Sequence, residues 1–128
     1  MHKRFLVTAC ILAAISVALG AFGAHALKEL LPPASLNTFE TAVRYQFYHV
    51  FALAITGILY KYCPRKIIKN AGWFFLTGIL LFSGSLYLIT FFTLTGNNQF
   101  HWVGAITPLG GISFIAGWLL LAISVGKS

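Results

Sequence analysis

The chain has 128 residues, of which 59% are hydrophobic and 9% charged, with a mean hydropathy of +0.85. So few charges cannot cover the surface of a water-soluble domain, so lipid is the expected solvent, and the length fits one domain over 1–128 with about four spans of about 20 residues each. A net charge of +7 would suggest nucleic acid on a soluble face, but here Lys and Arg lie beside and between apolar runs. They read as topology signals, and no nucleic-acid partner is expected.

His2-Lys3-Arg4 followed by an apolar run has the outline of a secretory signal, and Ala24-His25-Ala26 has the form of a cleavage site. Val7-Thr8-Ala9-Cys10 resembles a lipoprotein box, but too few residues precede it. The run of about 20 apolar residues exceeds a typical signal core and more apolar runs follow, so a retained first helix over about 5–27 is expected. Within it Ser16, Gly20 and Ala24 recur every four residues. Such a stripe lets a second helix approach closely, and here it would bring His25 up against that neighbour. Cys10 lies in this run and Cys63 at the end of the next, which suggests no disulfide framework.

Pro32-Pro33 ends the first helix. Asn37 or Thr38, with Glu40 three or two residues on, can cap a second helix over about 39–62 that stops at Pro64. Arg65-Lys66-Ile67-Ile68-Lys69 reads as a basic link to a third span over about 71–95. Gly96-Asn97-Asn98-Gln99 is an uncharged turn, and a fourth span over about 102–125 carries Thr107-Pro108 and Gly110-Gly111, which predict a bend. The fold class expected is therefore an all-α membrane protein, an antiparallel four-transmembrane-helix bundle.

With four spans, Lys3, Arg4, Lys61, Arg65, Lys66, Lys69 and Lys127 fall on one side, and Lys28 and Arg44 on the other. The positive-inside rule then places both termini in the cytoplasm and the protein in the cell's inner (plasma) membrane.

The second helix carries the densest polar cluster. Glu40 and Arg44 are spaced i,i+4, as are Arg44 with Tyr48 and Tyr45 with His49, which permits an ion pair and hydrogen bonds along the helix. Arg at the centre of a span costs roughly 2.5 to 3.5 kcal/mol, less near an end, so Arg44 is expected to snorkel outward or to pair with Glu40. Threading the spans brings His25, Ser83, Ser85 and Thr107 towards the same level. Two readings follow: a structural lock between the first two helices, or an outer-leaflet pocket in which Arg44 holds an anionic group and His25 or His49 handles a proton. The ligand-binding candidates are accordingly Arg44, His25, His49, Tyr45, Tyr48, Glu40, Ser83, Ser85 and Thr107. The spacing contains no haem-attachment, metal-binding or nucleophile motif, so no catalytic residue, metal or cofactor is implied. Expected partners are membrane lipids, with a homo-oligomer or a larger membrane complex as further options.

Four segments in order, Gly20-Ala21-Phe22-Gly23-Ala24-His25-Ala26-Leu27, Val43-Arg44-Tyr45-Gln46-Phe47-Tyr48-His49, Leu81-Phe82-Ser83-Gly84-Ser85-Leu86-Tyr87 and Ile106-Thr107-Pro108-Leu109-Gly110-Gly111 with Gly117-Trp118, span most of the chain. Together they resemble the small integral membrane proteins of the domain of unknown function 423 family, which are transmembrane protein 256-like. The resemblance implies a membrane location and supplies no catalytic residues. From residues and resemblance together, the function expected is that of a non-enzymatic lipid- or anion-binding protein or a small accessory subunit. The alternative is a carrier or membrane enzyme acting on a lipid-like or small anionic substrate through the Arg and His pocket.

Overall fold

The computed structural model describes residues 1–97, 99 and 101–128. Among these residues the regular structure is helical. Four long helices follow one another: α1 (Lys3–Leu30), α2 (Pro33–Leu59), α3 (Arg65–Leu94) and α4 (Ile106–Gly126), with a 3-10 turn, His101–Ala105, leading into the last. Three helices, Lys3–Leu30, Arg65–Leu94 and His101–Gly126, are long and apolar enough to cross a membrane. The helix α2 is of similar length, 27 residues, but carries Glu40, Arg44, Gln46 and His49 within it.

Three helix features differ from expectation. Pro32 precedes α2 and Pro33 occupies its first turn, where a missing N–H costs nothing. Thr38 and Thr41 therefore lie inside the helix and hydrogen-bond back to the carbonyls of Ala34 and Asn37, at 3.1 and 2.8 Å, so the capping expected of Asn37 or Thr38 is not formed. The basic segment after Pro64 is the first part of α3 rather than a link, because nothing in it breaks a helix and Ile68 faces the core, fully buried. Pro108 sits in the first turn of α4, which runs on unbroken to Gly126, so the bend expected there is absent. The helical irregularities are instead π-helical turns at Gly23–Leu27 in α1 and Ile79–Ser83 in α3. In the turn expected at 96–99, Asn98 lies outside the described residues; Gly96 adopts φ 69°, a left-handed conformation that glycine tolerates.

Neighbouring helices run antiparallel. The N–H of His2 donates to the carbonyl of Gly57 at 2.8 Å, while Gly20 and Gly23 meet Val43 and Phe39, so the start of α1 lies at the end of α2 and the reverse. The π-turn in α1 alters the expected stripe: Ser16 and Gly23 are buried, Gly20 faces α2, and Ala24 is exposed. Between α3 and α4 the glycines act as sockets. A Cβ at Gly110 would strike the backbone of Phe82, one at Gly78 the ring of Phe114, and one at Gly117 the ring of Phe75. The ring of Phe5 enters a further socket at Gly72, tying the start of α1 to α3.

The main core collects Phe5, Val50, Leu53, Ile68, Phe75 and Phe114 from all four helices. A smaller cluster of Leu27, Leu31 and Phe39 closes the other end. Outward faces carry large apolar side chains, among them Val7 and Ile11 on α1, Phe51 and Ile55 on α2, Leu80 and Phe91 on α3, and Ile112 and Ile115 on α4. That distribution suits a hydrocarbon solvent.

Candidate functional site

The helix α2 has two faces of different chemistry. Phe39, Ala42, Gln46, His49, Leu53 and Thr56 are buried at alternating steps of three and four, the period of an inward helical stripe, with Val50, Ala52 and Gly57 buried beside them. Glu40, Arg44 and Tyr48, one turn apart, point the other way and are exposed.

On the buried face His49 packs against α3 and α4. Its Nδ1 lies 2.7 Å from the carbonyl of Tyr45, which can only accept, so this nitrogen carries the proton. Nε2 is then free to accept the indole N–H of Trp118 at 3.2 Å. The neutral ring stacks on Phe114 with centroids 3.4 Å apart and planes 7° apart. Both nitrogens are thus engaged within the bundle, and the ring is turned away from Arg44's face.

One turn earlier, Gln46 joins three helices. Its amide donates to the carbonyl of Leu12 in α1 at 3.2 Å and its oxygen accepts the Tyr87 hydroxyl of α3 at 2.9 Å. Ser83 donates to the carbonyl of Ala42 at 2.7 Å, a bond between two buried groups. Ser83 is the last residue of the π-turn Ile79–Ser83. Ser85 pairs with Thr107 of α4 at 2.6 Å, and Ser113 donates to the carbonyl of Phe74 at 2.7 Å. Together these form a ladder of polar contacts between helices, each with a partner supplied by the protein.

On the outer face Glu40, Arg44 and Tyr48 line a groove of about 250 Å³ whose walls include Gly20 of α1 and Phe39, Val43 and Phe47 of α2. No ion pair within 4 Å forms between Glu40 and Arg44, nor any other among the described residues, so the salt bridge expected of that spacing is not made. Both side chains line the groove and are exposed, where water offsets most of what an ion pair would gain. The close pairing of His25 with a second helix is likewise corrected: His25 is exposed and its Nδ1 meets the carbonyl of Ala21 in its own helix at 3.0 Å. Tyr45 places its ring against Phe82, centroids 4.7 Å apart, and does not share a side-chain hydrogen bond with His49.

The structure therefore separates the nine candidates. Glu40, Arg44 and Tyr48 share the groove; His49, Ser83, Ser85 and Thr107 belong to the inner ladder; Tyr45 joins the ladder only through its backbone carbonyl, and His25 stands outside both. Gln46, Tyr87, Trp118 and Ser113 are parts of the ladder that sequence reasoning did not single out. A signal existed for Gln46: it stands in register with Ala42, His49 and Leu53 on the buried stripe, and a buried amide must find partners.

Long apolar helices, apolar outward faces and polar groups satisfied within the bundle define a membrane protein. A family model described as "Protein of unknown function (DUF423)" matches residues 19–111, and the chain belongs to that family. It is 40% identical over 125 residues to a UPF0382 membrane protein of Staphylococcus haemolyticus, covering 98% of this chain and 97% of the relative. It is 38% identical over 126 residues to the UPF0382 membrane protein YwdK of Bacillus subtilis, covering 98% of each. A UPF0382 membrane protein of Haemophilus influenzae is 37% identical over 131 residues, covering 100% of this chain and 98% of the relative. No solved structure matches the chain.

Proposed function

We propose that this chain is a single-domain, four-span protein of the plasma membrane with both termini cytoplasmic, and that it binds a lipid-like amphiphile in the groove between α1 and α2 without chemically altering it. The observation that carries this reading is the groove itself, where Glu40 and Arg44 are unpaired with each other yet share an apolar wall. An Arg side chain on a lipid-facing surface is costly unless an anion meets it. A phosphate against Arg44, with an apolar tail along Phe39, Val43 and Phe47, supplies that partner. Glu40 lies one turn away and suits the cationic part of a zwitterionic head group.

Spanning by α2 is supported by its 27 residues, about 40 Å of helix, enough to cross hydrocarbon with its polar groups turned inward or to the interface. The clustering of Lys3, Arg4, Lys61, Arg65, Lys66, Lys69 and Lys127 at one end of the bundle supports the orientation. In this reading His49, Ser83, Ser85 and Thr107 hold the helices that form the groove.

Native mass spectrometry of gently extracted protein tests the proposal. A co-purifying lipid is expected on the unaltered chain and on His25→Ala, and its loss on Arg44→Ala. A lipid kept by Arg44→Ala overturns the groove assignment, and a stoichiometric protein partner in place of lipid favours an accessory-subunit role.

A further inference from the structure

At the opposite end of the bundle a second cleft, of about 460 Å³, has a different chemistry. His2, Lys3 and Arg4 at the start of α1 face Lys69 of α3 across it, and Tyr60 and Trp73 form part of its wall. The aromatic groups are ordered: the His2 ring stacks on Phe5 with centroids 3.9 Å apart and meets Tyr60 edge-on at 5.0 Å, while Phe5 meets Trp73 edge-on at 5.9 Å. The His2 Nδ1 accepts the N–H of Phe5 at 3.3 Å, which fixes the entry of the chain into α1.

The charge in this cleft has no internal counterpart. The whole chain has 2 acidic residues, Glu29 and Glu40, and both lie at the other end of the helices. Glu40 is separated from Tyr60 by about 30 Å of helix, well beyond a Debye length. Lys3, Arg4 and Lys69 therefore meet no acidic side chain of the chain and stay open to anionic groups from outside it. Their placement also differs from that of Arg65 and Lys66, which are exposed at the same end but do not line the cleft.

We propose that this cleft is a binding site for an anionic phospholipid of the adjoining leaflet, its phosphodiester held by Arg4 and Lys69 and its glycerol and upper acyl chain lying against Trp73 and Leu76. Tyr and Trp favour the depth at which a lipid's head group meets its chains, and a guanidinium can hold a phosphate with two parallel hydrogen bonds. The continuous passage from cations to apolar wall fits an amphiphile better than a free anion, for which Trp73 and Leu76 offer nothing.

The test uses the full chain reconstituted in phosphatidylcholine vesicles, with brominated phosphatidylglycerol or brominated phosphatidylcholine as quenchers and Trp73→Phe to isolate the Trp73 fluorescence. Brominated phosphatidylglycerol is expected to quench Trp73 preferentially, and Arg4→Gln with Lys69→Gln to lower that preference about tenfold. Arg65→Gln with Lys66→Gln removes the same charge from the same end and is expected to leave it in place, as is Arg44→Ala in the distant groove. The proposal is overturned by equal quenching from both lipids, by equal losses in the two double variants, which would mean diffuse surface charge, or by competition from inorganic phosphate, which would mean a free-anion site. All these substitutions alter exposed side chains, so folding is expected to survive, and a retained helical circular-dichroism signal verifies it.

Discussion

The two faces of α2 meet the same problem, polar side chains in an apolar setting, in opposite ways. On the inner face Gln46 and His49 are fully occupied by Leu12, Tyr87, Tyr45 and Trp118. On the outer face Glu40 and Arg44, an ideal spacing for an ion pair, leave each other alone along a groove. The difference teaches that titratable character is a poor guide to a binding surface in this fold. The buried histidine acts as a strut, while the exposed arginine makes no ion pair with the glutamate one turn away.

The contrast can be broken most severely at the contact that holds the ladder closed. Gly110→Val places side-chain atoms in the backbone of Phe82, and a loss of about 3 kcal/mol is expected in reversible unfolding from detergent. Unchanged stability would mean α3 and α4 do not approach as described. A smaller loss, about 1 to 3 kcal/mol, is expected for His49→Phe, which keeps the stack on Phe114 but strands the Trp118 N–H. For Gln46→Leu and Tyr87→Phe, a double-mutant cycle should return a coupling of about 0.6 to 1.7 kcal/mol. Strict additivity would dissolve the ladder at that rung.

The outer face should respond differently. Glu40→Ala and Arg44→Ala are each expected to change stability by no more than about 0.5 kcal/mol, and additively, since the two groups form no ion pair. A coupled loss would restore the lock that their spacing suggested. Ser124 sharpens the comparison from within, because its hydroxyl is buried without a hydrogen-bond partner among the described residues. Ser124→Ala is expected to be neutral or stabilising by up to about 1 kcal/mol, where Ser83→Ala, which removes a bond to Ala42, is expected to destabilise.

The smallest effect expected is a pH dependence at His2. Burial holds its imidazole below the ordinary value of 6.5, with Lys69 and Arg4 acting in the same direction against its own backbone hydrogen bond. Protonation therefore favours the unfolded chain. The stabilising contribution is present above pH 6.5 and fades as the pH falls through the depressed value, so thermal midpoints should drop on acidification less in His2→Asn than in the unaltered chain.

Much of the architecture could be read from residue order because hydrophobic run length and proline position are local properties. The apolar runs, the break at Pro32-Pro33 and the stop before Pro64 appear in the helices, and the family that the four segments resemble is the one whose model matches residues 19–111. Local rules misplaced the helix starts, since Pro33 was compatible with a first turn and the basic segment after Pro64 had no breaker. The inner and outer roles were less legible. Spacing placed Glu40 near Arg44 and Tyr45 near His49, but spacing alone gives proximity and not direction.

By itself the sequence determined that this is a helical membrane protein with its positive charge gathered at one end, because burial of so much apolar surface and the scarcity of acids admit few other solutions. Only the tertiary structure decided which polar groups are consumed. The π-turns shift helical register, the glycine sockets set which faces touch, and hydrogen bonds reach about 3 Å, so the two residues from Arg44 to Gln46, roughly 200° around α2, separate the groove from the ladder.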